Sequence, residues 1–233
     1  PIKSSAASDV YKRQVGVGWY RLEFEVPEFR KGKKATLLFD GAMSHARVYI
    51  NGKEAGYWPY GYNSFYLDIT PYLNEKEKNT LAVRLENEKD FSRWYPGAGL
   101  YRNVHLIVTD KIHVPVWGTQ ITTPHVNKDF AAVRLQTKID NAGEKTAIRV
   151  ETEILSPEGK VVTRKENTSR INHGQPFEQN FIVNAPELWS PESPSLYKAV
   201  SKIYADDKLV DTYTTRFGLS LIHISEPTRL RCI

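Results

Sequence analysis

Apolar and polar residues alternate one for one along most of this chain. Tyr20, Leu22, Phe24 and Val26 are separated by Arg21, Glu23 and Glu25, and Leu81, Val83 and Leu85 by Ala82 and Arg84. Further on, Val133, Leu135 and Ile139 alternate with Arg134, Gln136 and Lys138, and Ile148, Val150 and Ile154 with Arg149, Glu151 and Glu153. A period of two marks strands with one face buried. No window holds a 3.6-residue period for a helix of useful length; the ITPYL segment, Ile69 to Leu73, makes one turn at most. Asn51-Gly52 between VYI and KEAG signals a type I′ hairpin, and Asn141-Ala142-Gly143, Pro157-Glu158-Gly159 and Asp206-Asp207 mark later turns.

Short strands with turn chemistry between them predict an all-β sandwich protein. About 200 residues accommodate two such domains of ordinary size. The first half is aromatic-rich with irregular loops, as a jelly roll would be, and the second has longer, plainer strands with charged outer positions. Between them, DKIHVPVWG (Asp110 to Gly118) holds a proline that a central strand excludes. The expected domains are therefore residues 15–110 and 111–218, the first truncated at its start.

The two ends read differently. Asp9 to Gln14, DVYKRQ, can be encoded GAT GTG TAT AAG AGA CAG, whose reverse complement translates to LSLIHI, the sequence of Leu219 to Ile224. This resembles the inverted mosaic end of a transposase-based sequencing adapter, with SSAAS (Ser4 to Ser8) and SEPTR (Ser225 to Arg229) matching the rest of its arms. Residues 1–14 and 219–233 are thus expected to be translated adapter. Setting aside their five Lys/Arg and two Asp/Glu leaves 27 basic and 25 acidic residues and lowers the formal charge from +5 to +2. A nucleic-acid partner loses its electrostatic basis. The single cysteine, Cys232, falls in the same tail and carries no information on redox compartment. Met43 lies inside a strand region and is no initiator, so the natural start and any signal peptide are expected to be missing. Cytoplasm and periplasm both stay open as compartments. No apolar run approaches the roughly 18 residues of a membrane span.

Catalytic chemistry is sparse. His45, His105, His113, His125 and His173 lack metal-ligand spacing, and no nucleophile elbow, phosphate loop or dinucleotide fingerprint is present. No metal site and no cofactor is identifiable in these residues, and metal dependence stays open. The aromatic residues are more informative. Flat rings with a polar edge suit sugars, whose C–H faces stack on them while hydroxyls take hydrogen bonds. In YWPYGYNSFY, Tyr57 to Tyr66, the expected role of the rings is to fill a sandwich core. In SRWYPGAGLYRNVHL, Ser92 to Leu106, Pro96, Gly97 and Gly99 take the chain off the sheet, and a loop on a rigid scaffold is where binding residues sit. Arg93, Trp94 and Tyr95 are the candidate substrate-binding residues.

GVGWYRLEFEVP, FDGAMSHARVYINGKEAGYWPYGYNSFYLDITPYL, NTLAVRLEN, SRWYPGAGLYRNVHL, WGTQITTP, ELWSPESPSLY and TRFGL, in this order, resemble the N-terminal half of glycoside hydrolase family 2, and its bacterial β-galactosidases most. The resemblance implies a jelly-roll sugar-binding domain, an immunoglobulin-like sandwich and then a (β/α)8 barrel that performs retaining hydrolysis with two carboxylates about 5 Å apart. The barrel would follow TRFG, so no catalytic residue is expected within this chain. The family's acid/base is a Glu preceded by Asn; Asn74-Glu75 and Asn87-Glu88 fall in Lys/Glu-rich turns and are not assigned that role. The resemblance also implies that the loop before Gly99 helps close the sugar subsite, with Arg102 anchoring it by hydrogen bonds and Asn103 standing where many relatives have Asp. Trp189 and Pro191 are expected to stabilise a bulged turn. The implied partners are a β-galactoside substrate, the protein's own barrel and further copies in a homo-oligomer. β-Glucuronidase and β-mannosidase share these domains, and a free-standing carbohydrate-binding sandwich is the reading from another class.

Overall fold

The computed structural model describes residues 16–26, 32–87, 97–141, 146–171 and 176–221. The chain divides into two compact units, one running to Val108 and one from Thr109. The described residues form strands and turns with no α-helix: a jelly-roll sandwich followed by an immunoglobulin-like sandwich.

In the first unit, β1 (Gly16–Phe24), β6 (Asn79–Asn87), β3 (Ala46–Ile50) and β4 (Lys53–Trp58) form one antiparallel sheet in the order β1-β6-β3-β4. A second sheet orders β5 (Phe65–Asp68), β2 (Lys33–Phe39) and β7 (Val104–Asp110) as β5-β2-β7. The alternation read from the sequence is realised residue by residue: Leu81, Val83 and Leu85 of β6 are buried and Ala82, Arg84 and Glu86 are not. The inward residues of both sheets close one core around Phe39, whose ring stacks on Phe65 at 4.7 Å. Such a pair adds roughly 0.5–1.5 kcal/mol to simple burial.

Asn51 and Gly52 both take positive φ, 51° and 79°, as the type I′ turn between β3 and β4 requires. The Asn51 side chain also accepts from Thr80 N and donates to Asn79 Oδ1 and to the Tyr72 carbonyl. Fully buried Asn79 in turn accepts from Asn74 N and donates to the Asn74 carbonyl. Two asparagines therefore join the hairpin, the 3-10 turn (Thr70–Tyr72) and the 74–79 loop. Glu75 lies exposed in that loop, beside an Asn74 whose backbone is already committed.

In the second unit, β9 (Thr119–Val126), β10 (Phe130–Lys138) and β14 (Pro176–Asn184) form a sheet ordered β14-β10-β9. The other sheet orders β12 (Thr146–Leu155), β13 (Val161–Ile171), β15 (Tyr197–Ala205) and β16 (Lys208–Phe217) as β13-β12-β15-β16. Short β8 (Ile112–His113) and β11 (Asp140–Asn141) pair at one side. Asp206 and Asp207 turn β15 into β16 with positive φ at both.

The core of this unit is divided. Leu135, Ile154, Phe181 and Ala199 belong to one apolar cluster, and Ile139, Val150, Phe177 and Ile203 to another. Between them lie buried Thr137, Thr152, Gln179 and Ser201, each two residues from an apolar neighbour on its own strand. The Thr152 and Ser201 hydroxyls bond at 2.9 Å, and Gln179 Nε2 donates to the Val150 carbonyl at 3.2 Å. A shift of register by two residues would separate the Thr152 and Ser201 hydroxyls and place them against apolar side chains, so this pair favours one register over its neighbours.

Trp189 ties the chain after β14 to the chain after β16: its N–H donates to the Leu219 carbonyl at 2.7 Å, and its ring lies against Gly218. Leu219, which the sequence reading assigns to the adapter tail, is fully buried in the first of the two clusters.

Candidate functional site

The loops of interest gather at one end of the jelly roll. Arg93, Trp94 and Tyr95 lie outside the described residues. The described neighbours of their segment are Asn87, which pairs with Gly16 at the end of β6, and Gly97, with φ of 85°.

Met43 and Gly99 exchange both backbone hydrogen bonds at 3.0 Å, so residues 41–45 hold the returning chain in an isolated antiparallel bridge. Met43 itself therefore sits in a bridge ahead of β3 and not within a strand. A third bond, from Asp40 N to the Asn103 carbonyl, continues the pairing. Gly99 has φ of 100°, and a Cβ there would collide with the Tyr20 hydroxyl. Two further glycines make room. The Tyr101 ring lies where a Cβ on Gly41 would be, and Gly61 abuts the Met43 side chain. Tyr101 Oη then donates to the Gly61 carbonyl at 2.8 Å, binding the 59–64 loop to the 97–103 loop.

Arg102 departs from expectation. Its guanidinium lies over the Tyr101 ring, 5.3 Å from the centroid, and the hydrogen bond that anchors the loop comes from Tyr101 instead. A flexible exposed arginine gains little by ordering, whereas a phenol held against two glycines is already fixed. Asn103 contributes through its main-chain carbonyl.

Around this end, Ser44 Oγ donates to the Glu86 carbonyl and Ser64 Oγ to the Asp40 carbonyl. His105 Nε2 meets Asp40 Oδ2 at 2.9 Å. His45 Nδ1 and Tyr57 Oη are 2.7 Å apart.

The core-filling expectation for the Tyr57–Tyr66 block fails for most of its rings. Only Trp58 and Phe65 turn inward, packed 5.6 Å apart. Tyr57, Tyr60, Tyr62 and Tyr66 are exposed, and Tyr60 and Tyr62 meet edge to face at 5.6 Å. Tyr57 on β4 and Tyr66 on β5 are the outward members of their strands' alternation, whereas Pro59 and Gly61 lift residues 59–64 off the sheet and free Tyr60 and Tyr62 from it. That Pro-x-Gly spacing was the available signal. The end of the sandwich thus presents ring faces beside hydroxyl, imidazole and carboxylate groups, a surface suited to polyhydroxylated ligands.

Such a fold, with ring-bearing loops at one end of its first sandwich, defines a tandem β-sandwich chain. Residues 2–110 match the family model for the sugar binding domain of glycosyl hydrolases family 2, and residues 114–219 match the model described as glycosyl hydrolases family 2. The β-galactosidase BoGH2A of Bacteroides ovatus is 40% identical over 208 residues, covering 88% of this chain and 24% of that protein. A β-glucuronidase of Formosa agariphila is 31% identical over 228 residues, covering 88% of this chain and 23% of that one. A crystal structure of a glycosyl hydrolase family 2 member from Bacteroides cellulosilyticus superposes with a TM-score of 0.83 at 34% identity, over 88% of this chain and 29% of the other. This chain belongs to glycosyl hydrolase family 2. It spans about a quarter of the length of these curated relatives and matches their N-terminal part.

Proposed function

We propose that this chain is the non-catalytic N-terminal portion of a retaining glycosidase that removes terminal β-galactosyl groups, with the reacting carboxylates on a (β/α)8 barrel beyond it. The 40% identity to a β-galactosidase supports this reading best. In it, the jelly roll supplies a sugar-facing loop: Arg93, Trp94 and Tyr95 contact substrate, and the Met43–Gly99 bridge and the Tyr101–Gly61 bond hold the chain that follows that loop. The proposed domains are residues 15–110 and 111–218, with adapter-derived ends. The proposed partners are a β-galactoside, the barrel, and further copies of the chain.

β-Glucuronidase is the second reading, favoured by relatives bearing that name at 31% and 29% identity. The test is expression of the complete gene from its source DNA and assay with nitrophenyl β-galactoside and β-glucuronide. Hydrolysis of the galactoside by the complete protein, with none by the 233-residue chain, is expected. Preference for the glucuronide would replace the first reading with the second, and activity in the short chain would overturn both.

The loop assignment has its own test. Trp94→Ala in the complete protein is expected to lower kcat/KM at least tenfold, about 1.4 kcal/mol in transition-state binding, with little change in Tm. A large fall in Tm with unchanged kinetics would make the ring structural.

A further inference from the structure

The outward face of the β1-β6-β3-β4 sheet carries a pattern that the loop end does not explain. Register places Trp19 opposite Arg84, Arg84 opposite Arg47, and Arg47 opposite Tyr57, so one row crosses all four strands. The row spans three strand spacings, about 14 Å. Trp19 at one end is 59% exposed and Tyr57 at the other 42%. Between them each guanidinium is held in place: Arg84 by Glu86 at 2.8 Å, and Arg47 by Glu54 at 3.0 Å and by the Tyr57 ring at 4.8 Å. One register step away Ala82 stands between Arg21 and Tyr49. Its small side chain lets the Trp19 and Tyr49 rings meet across β6 with centroids 5.7 Å apart. The aromatic surface therefore continues from the edge strand onto the third strand.

The chemistry of this face decides among occupants. Its outward arginines, Arg21, Arg47 and Arg84, are matched in number by Glu23, Glu54 and Glu86, so the face offers phosphates no surplus of positive charge. Among the outward residues of β1, β6, β3 and β4 the only large aliphatic is Val17, so the aliphatic centre of a protein interface is missing. What is present is exposed rings at both ends of a strip, the Tyr57 ring carrying Arg47 over one face and His45 at its hydroxyl, with fixed donors and acceptors between them. Pyranose C–H faces stack on the first, and neutral hydroxyls bond the second. A strip about 14 Å long exceeds one sugar ring.

We infer that the outward face of this sheet, with Trp19, Tyr49 and Tyr57 as its aromatic contacts and the Arg84–Glu86 and Arg47–Glu54 pairs as hydrogen-bonding groups, is a binding surface for a neutral oligosaccharide chain that reaches the edge of the loop end at Tyr57 without using Tyr60 and Tyr62. It does not rest on the glycosidase reading. It would hold a polymer on the protein whichever terminal sugar the complete protein removes.

The test titrates the 233-residue chain with cellohexaose, β-1,4-galactohexaose and chitohexaose by calorimetry and tryptophan fluorescence, with glucose and galactose as monosaccharide controls. At least one hexaose is expected to bind, and the monosaccharides roughly tenfold or more weakly. Trp19→Ala and Tyr57→Ala, both at exposed positions and so expected to leave the fold intact, should each weaken hexaose binding by about tenfold or more. Failure of all three hexaoses to bind overturns the inference. So does binding that survives Trp19→Ala and Tyr57→Ala but is lost in Tyr60→Ala, which would place the sugar at the loop end. Sedimentation supplies the remaining arm: a dimer that Trp19→Ala dissociates, with no hexaose binding, would make the face a contact between copies and refute the sugar surface.

Discussion

Gly99→Val is expected to destabilise the jelly-roll unit by about 2–4 kcal/mol. Three costs converge on this residue. Its φ of 100° lies where side-chain-bearing residues are strained, at about 1–3 kcal/mol. The added Cβ would press on the Tyr20 hydroxyl, and Tyr20 is packed against the core, so relief of the clash moves a residue of β1. Any shift of Gly99 also loosens the two hydrogen bonds to Met43, each worth roughly 1 kcal/mol net. Gly18→Ala is the matched control, since its Cβ would have open space and its φ is ordinary. Thermal unfolding of both variants decides the matter: equal midpoints would show that the bridge is dispensable. Under the proposed substrate role of Arg93, Trp94 and Tyr95, the variant is also expected to impair substrate binding in the complete protein before it unfolds, because the bridge follows directly on their segment.

Glu151→Ala is expected to cost the second unit about 1–3 kcal/mol at neutral pH, somewhat less than a pair buried on both sides because its partners reach solvent. Glu151 lies on the outward face of β12 yet is only 5% exposed. Arg164 reaches it at 2.6 Å, Lys202 at 3.6 Å and Arg149 at 3.8 Å. Arg149 is itself stacked 3.9 Å over the Tyr204 ring. Burial pushes the Glu151 carboxyl up, and hydrogen bonds and attraction from Arg164 and Lys202 outweigh it, leaving the group below the ordinary carboxylate range. A carboxyl depressed in the folded state contributes its full stability above the unfolded pKa, about 4.3, and loses it as the pH falls through the lower folded value. The difference between wild type and variant should therefore be steady from pH 7 to about 5 and shrink below about 4. Urea unfolding across that range tests it. A difference that grows as the pH falls from neutral toward the unfolded value would mean that burial dominates and the carboxyl is raised.

Strand content and turns were legible because both are local. Alternation follows from the two-residue repeat of the extended chain, and Asn51-Gly52 reports its left-handed backbone directly. The Tyr57–Tyr66 rings were misread because aromatic content says nothing about which way a ring points. Trp58 and Tyr57 are adjacent, and the strand sends one inward and the other out. Arg102 was misassigned for a related reason: a motif indicates that a loop is anchored, while the atom that anchors it depends on which neighbours leave space. Here Gly41 leaves it for the Tyr101 ring, and the Gly61 carbonyl accepts the Tyr101 hydroxyl.

By itself, the sequence determined that this is an all-β protein with half-buried strands, and the ordered motifs placed it within a family. Periodicity and turn residues act over a few positions, and motif order survives without coordinates. Only the tertiary structure decided which residues share a surface. Trp19, Arg84, Arg47 and Tyr57 come from four strands, and Thr137, Thr152, Gln179 and Ser201 from four others. Both sets are created by strand register, which pairs residues far apart in the chain through backbone hydrogen bonds that the side-chain pattern of any one strand does not encode.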